Sequence, residues 1–179
     1  MYSVTKVIHF CYGHRLLNYQ GKCRHLHGHN GTAEIELAAA TLDERGMVRD
    51  FTEIKQTIQG WIDAQLDHKM ILCQKDPALP LLRQLKEPLY VIPDNPTAEN
   101  LAKLIYAQVK RLGFPVTSAR LWETDSSFAV YRPAEPARAR TRRRPRRAPR
   151  RDGGVVADGS AGAAGDGRRR AVRSTSTAA

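Results

Sequence analysis

The apolar positions along the chain fall into two periodicities. Residues 3–10 concentrate β-branched and aromatic types (Val4, Thr5, Val7, Ile8, Phe10) and predict a first strand. Residues 32–40 alternate, Ala33, Ile35 and Leu37 against Glu34 and Glu36, as a strand with one buried and one wet face does. A turn at 43–46 and a short returning strand at 46–50 complete an antiparallel unit. Asp50 then opens a helix, with Glu53 in capping-box position. Phe51, Ile54, Ile58, Trp61, Ile62 and Leu66 follow at helical spacing, and the helix ends near Asp67–His68. Thr97 caps a second helix bearing Leu101, Leu104, Ile105, Val109 and Leu112, stopped by Gly113 and Pro115. Residues 88–93 predict a short strand between the helices, and 116–123 and 127–132 two closing strands. Strands, helix, helix, strands: the order predicts an α+β domain with its helices on one sheet face.

Charge separates this domain from the rest of the chain. All 179 residues together have a formal net charge of +11, which by itself suggests a nucleic-acid binder. Residues 1–132 contribute only +2 of it; residues 133–179 carry 13 Arg and four acids. That tail of 47 residues contains no Leu, Ile, Phe, Met, Trp, Tyr or Cys, so it can bury almost nothing against the entropy of ordering. We therefore expect a folded domain over 1–132 and a disordered Arg/Ala/Gly/Pro-rich tail over 133–179. The tail reads as an arm gripping phosphate backbones, as a solvated extension without a role, or as read-through or a shifted frame in a GC-rich gene. Three cysteines are an odd number for a secreted disulfide scaffold. With no signal-peptide pattern and no apolar run of the roughly 18–20 residues a bilayer needs, the expectation is a cytoplasmic protein with no membrane partner.

The candidate chemistry is concentrated in histidines. Four of six lie between positions 14 and 29, three of them in Cys23-Arg24-His25-Leu26-His27-Gly28-His29. In extended chain, residues two apart share a face at about 6–7 Å, close enough to converge on one ion, whereas His25 and His29 at roughly 13 Å are not. The pair is therefore His25/His27 or His27/His29, and Gly28 favours the second by letting the backbone bend. His9, His14 or His68 would supply the third ligand, leaving an open position as in catalytic zinc sites. The alternative is a surface cluster or imidazoles bonded to backbone. Cys23, between Lys22 and Arg24, is either a zinc ligand in a closed structural site or an activated thiol. Asp67 next to His68 can fix an imidazole's tautomer, or merely cap a helix. Glu123 shares a face with Leu121. If that face is inward, its carboxylate wants a bidentate donor such as the amino and ring N–H groups of a guanine-like or pterin ring; otherwise it sits on the wet face.

Six ordered motifs carry a resemblance: Phe10-x-x-x-His14, Cys23-x-x-x-His27-Gly28-His29-Asn30, Gly46-Met47-Val48-x-Asp50-Phe51, Leu66-Asp67-His68, Pro96-Thr97-Ala98-Glu99-Asn100 and Glu123-Thr124. Over residues 3–132 the chain resembles the 6-pyruvoyltetrahydropterin synthase / 6-carboxytetrahydropterin synthase family. The resemblance implies the tunnelling fold, a four-stranded antiparallel sheet with two helices, assembled into an oligomeric barrel as a homohexamer of two trimers. By position it implies His14, His27 and His29 as Zn2+ ligands, Cys23 as catalytic base, Asp67 and His68 as the proton-transfer pair, and Glu123 as the pterin anchor. The implied substrate is 7,8-dihydroneopterin triphosphate, from which triphosphate is eliminated. The spacing of Cys23 and His27 resembles the bacterial branch, which forms 6-carboxy-5,6,7,8-tetrahydropterin with release of acetaldehyde in queuosine and deazapurine biosynthesis. The pyruvoyl-forming enzyme and a folate-pathway variant that cleaves the side chain are the alternatives on this fold. A zinc-stabilised module binding nucleic acid through its Arg tail is the alternative of another class. Cys11-Tyr12-Gly13 departs from the small residues the family commonly has before its first zinc histidine.

Overall fold

The computed structural model describes residues 1–134; the expectations for the tail fall almost entirely outside them. Strands β1 (Tyr2–His14) and β2 (His27–Ala39) pair antiparallel along their whole length, from Tyr2 opposite Ala39 to His14 opposite His27. Both run further than their alternating cores predict, and the extra length brings the histidine-rich ends side by side. β5 (Val116–Thr124) adds to β2 and β6 (Ser127–Tyr131) to β5, all antiparallel.

Among the described residues the sheet has six strands rather than four. β3 (Lys69–Cys73) and β4 (Leu89–Ile92) extend it beyond β1 as parallel strands, in the order β4-β3-β1-β2-β5-β6. The β3 run Met70-Ile71-Leu72-Cys73 has no alternation to announce it, because covered strands in parallel pairing read as continuous apolar stretches. The strand expected at 46–50 does not form. Asp43 there accepts the backbone N–H groups of Arg45 and Met47 at 2.9 Å each, and its own N–H goes to the Met47 carbonyl. This closed local turn leaves no free edge for a ladder.

Helix α1 covers residues 51–65, its α-helical ends Phe51–Ile54 and Gly60–Gln65 separated by a π-helical turn, Lys55–Gln59. Asp50 caps it by accepting the Thr52 N–H at 2.7 Å, but Glu53 turns to Arg49 at 3.6 Å rather than closing a capping box. Ile54, Ile58, Ile62 and Leu66 are fully buried, while Phe51 stays exposed and Trp61 only partly covered. A short helix α2 (Leu79–Gln84) adds to the two that the apolar spacing predicts, so the helices number three among the described residues. Helix α3 (Ala98–Arg111) is capped by Thr97 and buries Leu101, Ala102, Ile105, Tyr106 and Val109. Gly113, with φ of 86°, ends it in the left-handed region.

One sheet face supplies Ile8, Phe10, Tyr12, Ala33, Ile35, Leu37, Ala119 and Leu121 to a core shared with α1 and α3. Each of the larger apolar side chains contributes about 1.5–3 kcal/mol on burial. The opposite face is polar: Glu34 meets the Arg120 guanidinium at 2.9 Å and accepts from Trp122 Nε1 at 2.9 Å. No helix among the described residues is long and apolar enough to cross a membrane.

Candidate metal centre

His14 is the last residue of β1 and pairs directly with His27, the first of β2. His29 lies two residues along β2 on the same face. The three imidazoles offer ligand atoms all within 4.8 Å of one another. His14 Nε2 and His29 Nε2 are 3.2 Å apart, and the three ring centroids lie 4.5–5.1 Å apart. Of the third ligands left open by the sequence, His14 is therefore the one in place. His9 points its Nδ1 at Thr32 Oγ1, 3.0 Å away on the other sheet face, and His25 lends only its backbone carbonyl. Gly28 works differently from expectation. The strand around it is regular, and a Cβ there would stand 3.0 Å from the Tyr12 carbonyl oxygen, so the glycine admits β1 rather than bending β2.

The outer nitrogens are tied down. His14 Nδ1 lies 2.6 Å from the Pro96 carbonyl and His27 Nδ1 2.8 Å from the His25 carbonyl, so each Nδ1–H donates outward and each Nε2 keeps its lone pair. His27 Nε2 is buried with no hydrogen-bond partner among the described residues. A buried orphan acceptor costs free energy unless something fills it, and three converging imidazoles, two of them braced from behind, fit a divalent ion such as zinc. Burial holds the pKa of His14 below the ordinary histidine value, and the neighbouring His27 and His29 push the same way against the Pro96 carbonyl and Glu123. That favours the metal-binding form.

The brace behind His14 was not legible as chemistry. Asn95 clamps the backbone of Leu17 twice, accepting its N–H at 2.8 Å and donating to its carbonyl at 2.9 Å. Asn100 donates to the Asn95 carbonyl at 2.9 Å, and Thr97 accepts the Asn100 N–H. These bonds hold the Pro96 carbonyl against the imidazole. Arg15, next in sequence, makes a two-pronged ion pair with the buried Asp76.

A cavity of about 490 Å³ opens beside the histidines, lined by Cys11, Tyr12, His27, His29 and Asn30 from the central strands and by His68 and Lys69 where the chain enters β3. Asp67 and His68 stand past the end of α1. His68 has φ of 54°, and this left-handed turn swings its ring back so that Nδ1 lies 2.8 Å from Asp67 Oδ2, a contact adjacent residues on a helix do not make. The Cys11 N–H donates to Asp67 Oδ1 at 2.8 Å. Burial alone would raise the Asp67 carboxyl, but the Cys11 N–H and the His68 ring outweigh it and hold the pKa below its usual value. Cys11 completes a second group of potential donors with this pair, its Sγ donating to Asn30 Oδ1 at 3.1 Å.

Glu123 faces inward with Leu121. Its Oε1 accepts from the Tyr12 hydroxyl at 3.2 Å and lies 3.7 Å from His14 Nε2. Burial, reinforced by Glu123, raises the Tyr12 pKa far above that of a free phenol, so the hydroxyl remains a donor. Cys23 sits half-buried in a short 3₁₀ turn, Lys22–Arg24, and does not line the cavity.

Residues 3–134 match the family model described as 6-pyruvoyl tetrahydropterin synthase. Among curated relatives, a Rickettsia bellii protein named 6-carboxy-5,6,7,8-tetrahydropterin synthase is 38% identical over 135 residues, covering 72% of this chain and 98% of the relative. A Haemophilus influenzae protein of the same name is 30% identical, covering 73% and 99%. Among solved structures, a Wolinella succinogenes protein aligns with a TM-score of 0.63 at 28% identity, covering 73% of this chain and 97% of that one. Caenorhabditis elegans 6-pyruvoyl tetrahydropterin synthase aligns at 0.57 and 20% identity, covering 74% and 96%, which shows the shared α+β tunnelling fold. The chain belongs to the 6-pyruvoyl tetrahydropterin synthase family, whose members are pterin lyases.

Proposed function

We propose that this member of the family converts 7,8-dihydroneopterin triphosphate to 6-carboxy-5,6,7,8-tetrahydropterin, releasing acetaldehyde and triphosphate, on the route to queuosine and related deazapurines. The observation that carries the proposal is the convergence of His14, His27 and His29, with the Nδ1 atoms of His14 and His27 braced and His27 Nε2 orphaned among the described residues. The shared name of the Rickettsia and Haemophilus relatives supports the choice of product.

In this reading the three histidines hold Zn2+, whose chemistry is that of a Lewis acid for side-chain oxygens of the substrate. Glu123 accepts N–H groups of the pterin ring and fixes its orientation. The Asp67 carboxylate keeps a proton on His68 Nδ1, so that Nε2 can take up or return a proton at the substrate side chain. Cys23 serves as the base. It stands outside the cavity of its own chain, and the reading has the proposed homohexamer of two trimers bring its thiol to a site. The working domain is 1–132, acting in the cytoplasm.

The test is incubation of the zinc-loaded full-length protein with 7,8-dihydroneopterin triphosphate, beside Cys23→Ala, with products identified by mass spectrometry. The expected product is the 6-carboxy compound, lost in the variant. A 6-pyruvoyl product or a hydroxymethyl pterin would move the assignment to another branch of the same chemistry. Untouched substrate with a folded, metal-bound protein would overturn it.

A further inference from the structure

Tyr12 stands where the three-residue departure Cys11-Tyr12-Gly13 puts a large side chain, and the chemistry proposed for the site does not use it. It is 3% exposed, yet it lies against His14, His29 and Glu123 of the candidate site. Its ring lies 5.4 Å from the His14 ring and 5.8 Å from the His29 ring, and it stacks on Phe10 at 5.3 Å. Its hydroxyl donates to Glu123 Oε1 at 3.2 Å, and it forms part of the cavity wall.

Space for this ring is built into the strand opposite. Phe10 pairs with Gly31 in the β1–β2 register, and a Cβ at Gly31 would fall 2.8 Å from Tyr12 Cε1, closer than real Cβ contacts come. Position 31 in β2 is thus left without a side chain where the tyrosine ring lies. The ring cannot swing away without vacating a packed core, so the hydroxyl is presented to Glu123 from a fixed point.

We propose that Tyr12 is a positioning and specificity-determining residue: its hydroxyl engages Glu123 Oε1, fixes the carboxylate plane, and leaves Oε2 as the acceptor for an N–H of the bound ring. A carboxylate free on both oxygens would accept the two parallel N–H groups of a pterin or guanine edge equally well in several orientations. With the Tyr12 hydroxyl on Oε1, the arrangement favoured over the others is the one in which Oε2 accepts one N–H and the Tyr12 oxygen serves as the second acceptor beside it. The inference rests on the proposed pterin-anchoring role of Glu123 and specifies how that anchor is set.

The experiment uses full-length zinc-loaded protein and its Tyr12→Phe and Gly31→Ala variants. Oxidised neopterin is titrated as a non-reacting probe followed by its own fluorescence, and metal content, KM and kcat are measured alongside. Tyr12→Phe keeps the ring and the metal and loses only the hydroxyl. We expect metal content unchanged, the neopterin Kd and the substrate KM each raised about tenfold, and kcat reduced much less. Gly31→Ala, which must displace the ring, is expected to weaken neopterin binding at unchanged metal content as well. Tyr12→Phe with wild-type Kd and KM would overturn the inference while leaving the proposed function standing. So would weakened binding that merely tracks lost zinc. A wild-type protein that neither binds neopterin nor turns over the substrate would overturn both together.

Discussion

Two histidine groups border one cavity and are built on opposite terms. His14 is 2% exposed, its outer nitrogen bonded to a backbone carbonyl that a chain of asparagine bonds holds in place. The His68 side chain is 77% exposed, and what orients it is a single carboxylate from the preceding residue. The first arrangement lowers proton affinity and spends its hydrogen bonds on rigidity, which suits a lone pair meant for a metal. The second leaves a ring in contact with water and beside a carboxylate, which suits a group meant to exchange protons. The same residue type is thus suited to two chemistries because burial and bonding partner differ.

Removing a member of the converging trio breaks the contrast most sharply. His27→Ala is expected to lower bound zinc from one per chain to about a tenth of that or less, with turnover lost, as measured by elemental analysis and product formation. Asp67→Asn takes away the carboxylate that orients His68. Zinc content should hold while kcat falls about 10²–10⁴-fold, the range for general acid–base catalysis. If zinc were lost instead, the two groups would not be separate.

A subtler change acts behind the metal ligand. Asn95→Ala frees the Leu17 backbone and loosens the Pro96 carbonyl, and competition with a chelator should show zinc affinity down about 10–100-fold, with activity restored at saturating zinc. The smallest effect is on acid stability. Because the folded-state pKa of Asp67 is depressed, its contribution is present above the unfolded carboxylate value of about 3.9 and lost as pH falls through the folded value. The difference in Tm between wild type and Asp67→Asn should therefore be constant near neutrality and shrink below about pH 4.

How much the sequence makes legible depends on where each signal lives. Alternation in 32–40 and helical spacing in 97–112 are side-chain patterns, and both elements form where expected. The choice of His14 over His9 or His68 is not readable from spacing, because it depends on the β1–β2 register that sets His14 opposite His27. Only the resemblance names it. The run 69–73 lacks alternation and gives no strand signal of its own. The Pro96 carbonyl carries no side-chain signal at all, so Pro96-Thr97-Ala98-Glu99-Asn100 reads as a helix start rather than as the brace of a ligand. Tyr12 announces itself as a departure, but its bond to Glu123 joins residues 111 positions apart.

The most direct test of the separation between the two groups is X-ray absorption at the zinc edge on the full-length protein. The account predicts three imidazole nitrogens at about 2.0–2.1 Å and no sulfur in the coordination shell. A sulfur scatterer at about 2.3 Å would place a cysteine on the metal and contradict the assignment of His14, His27 and His29 as a catalytic centre with an open position.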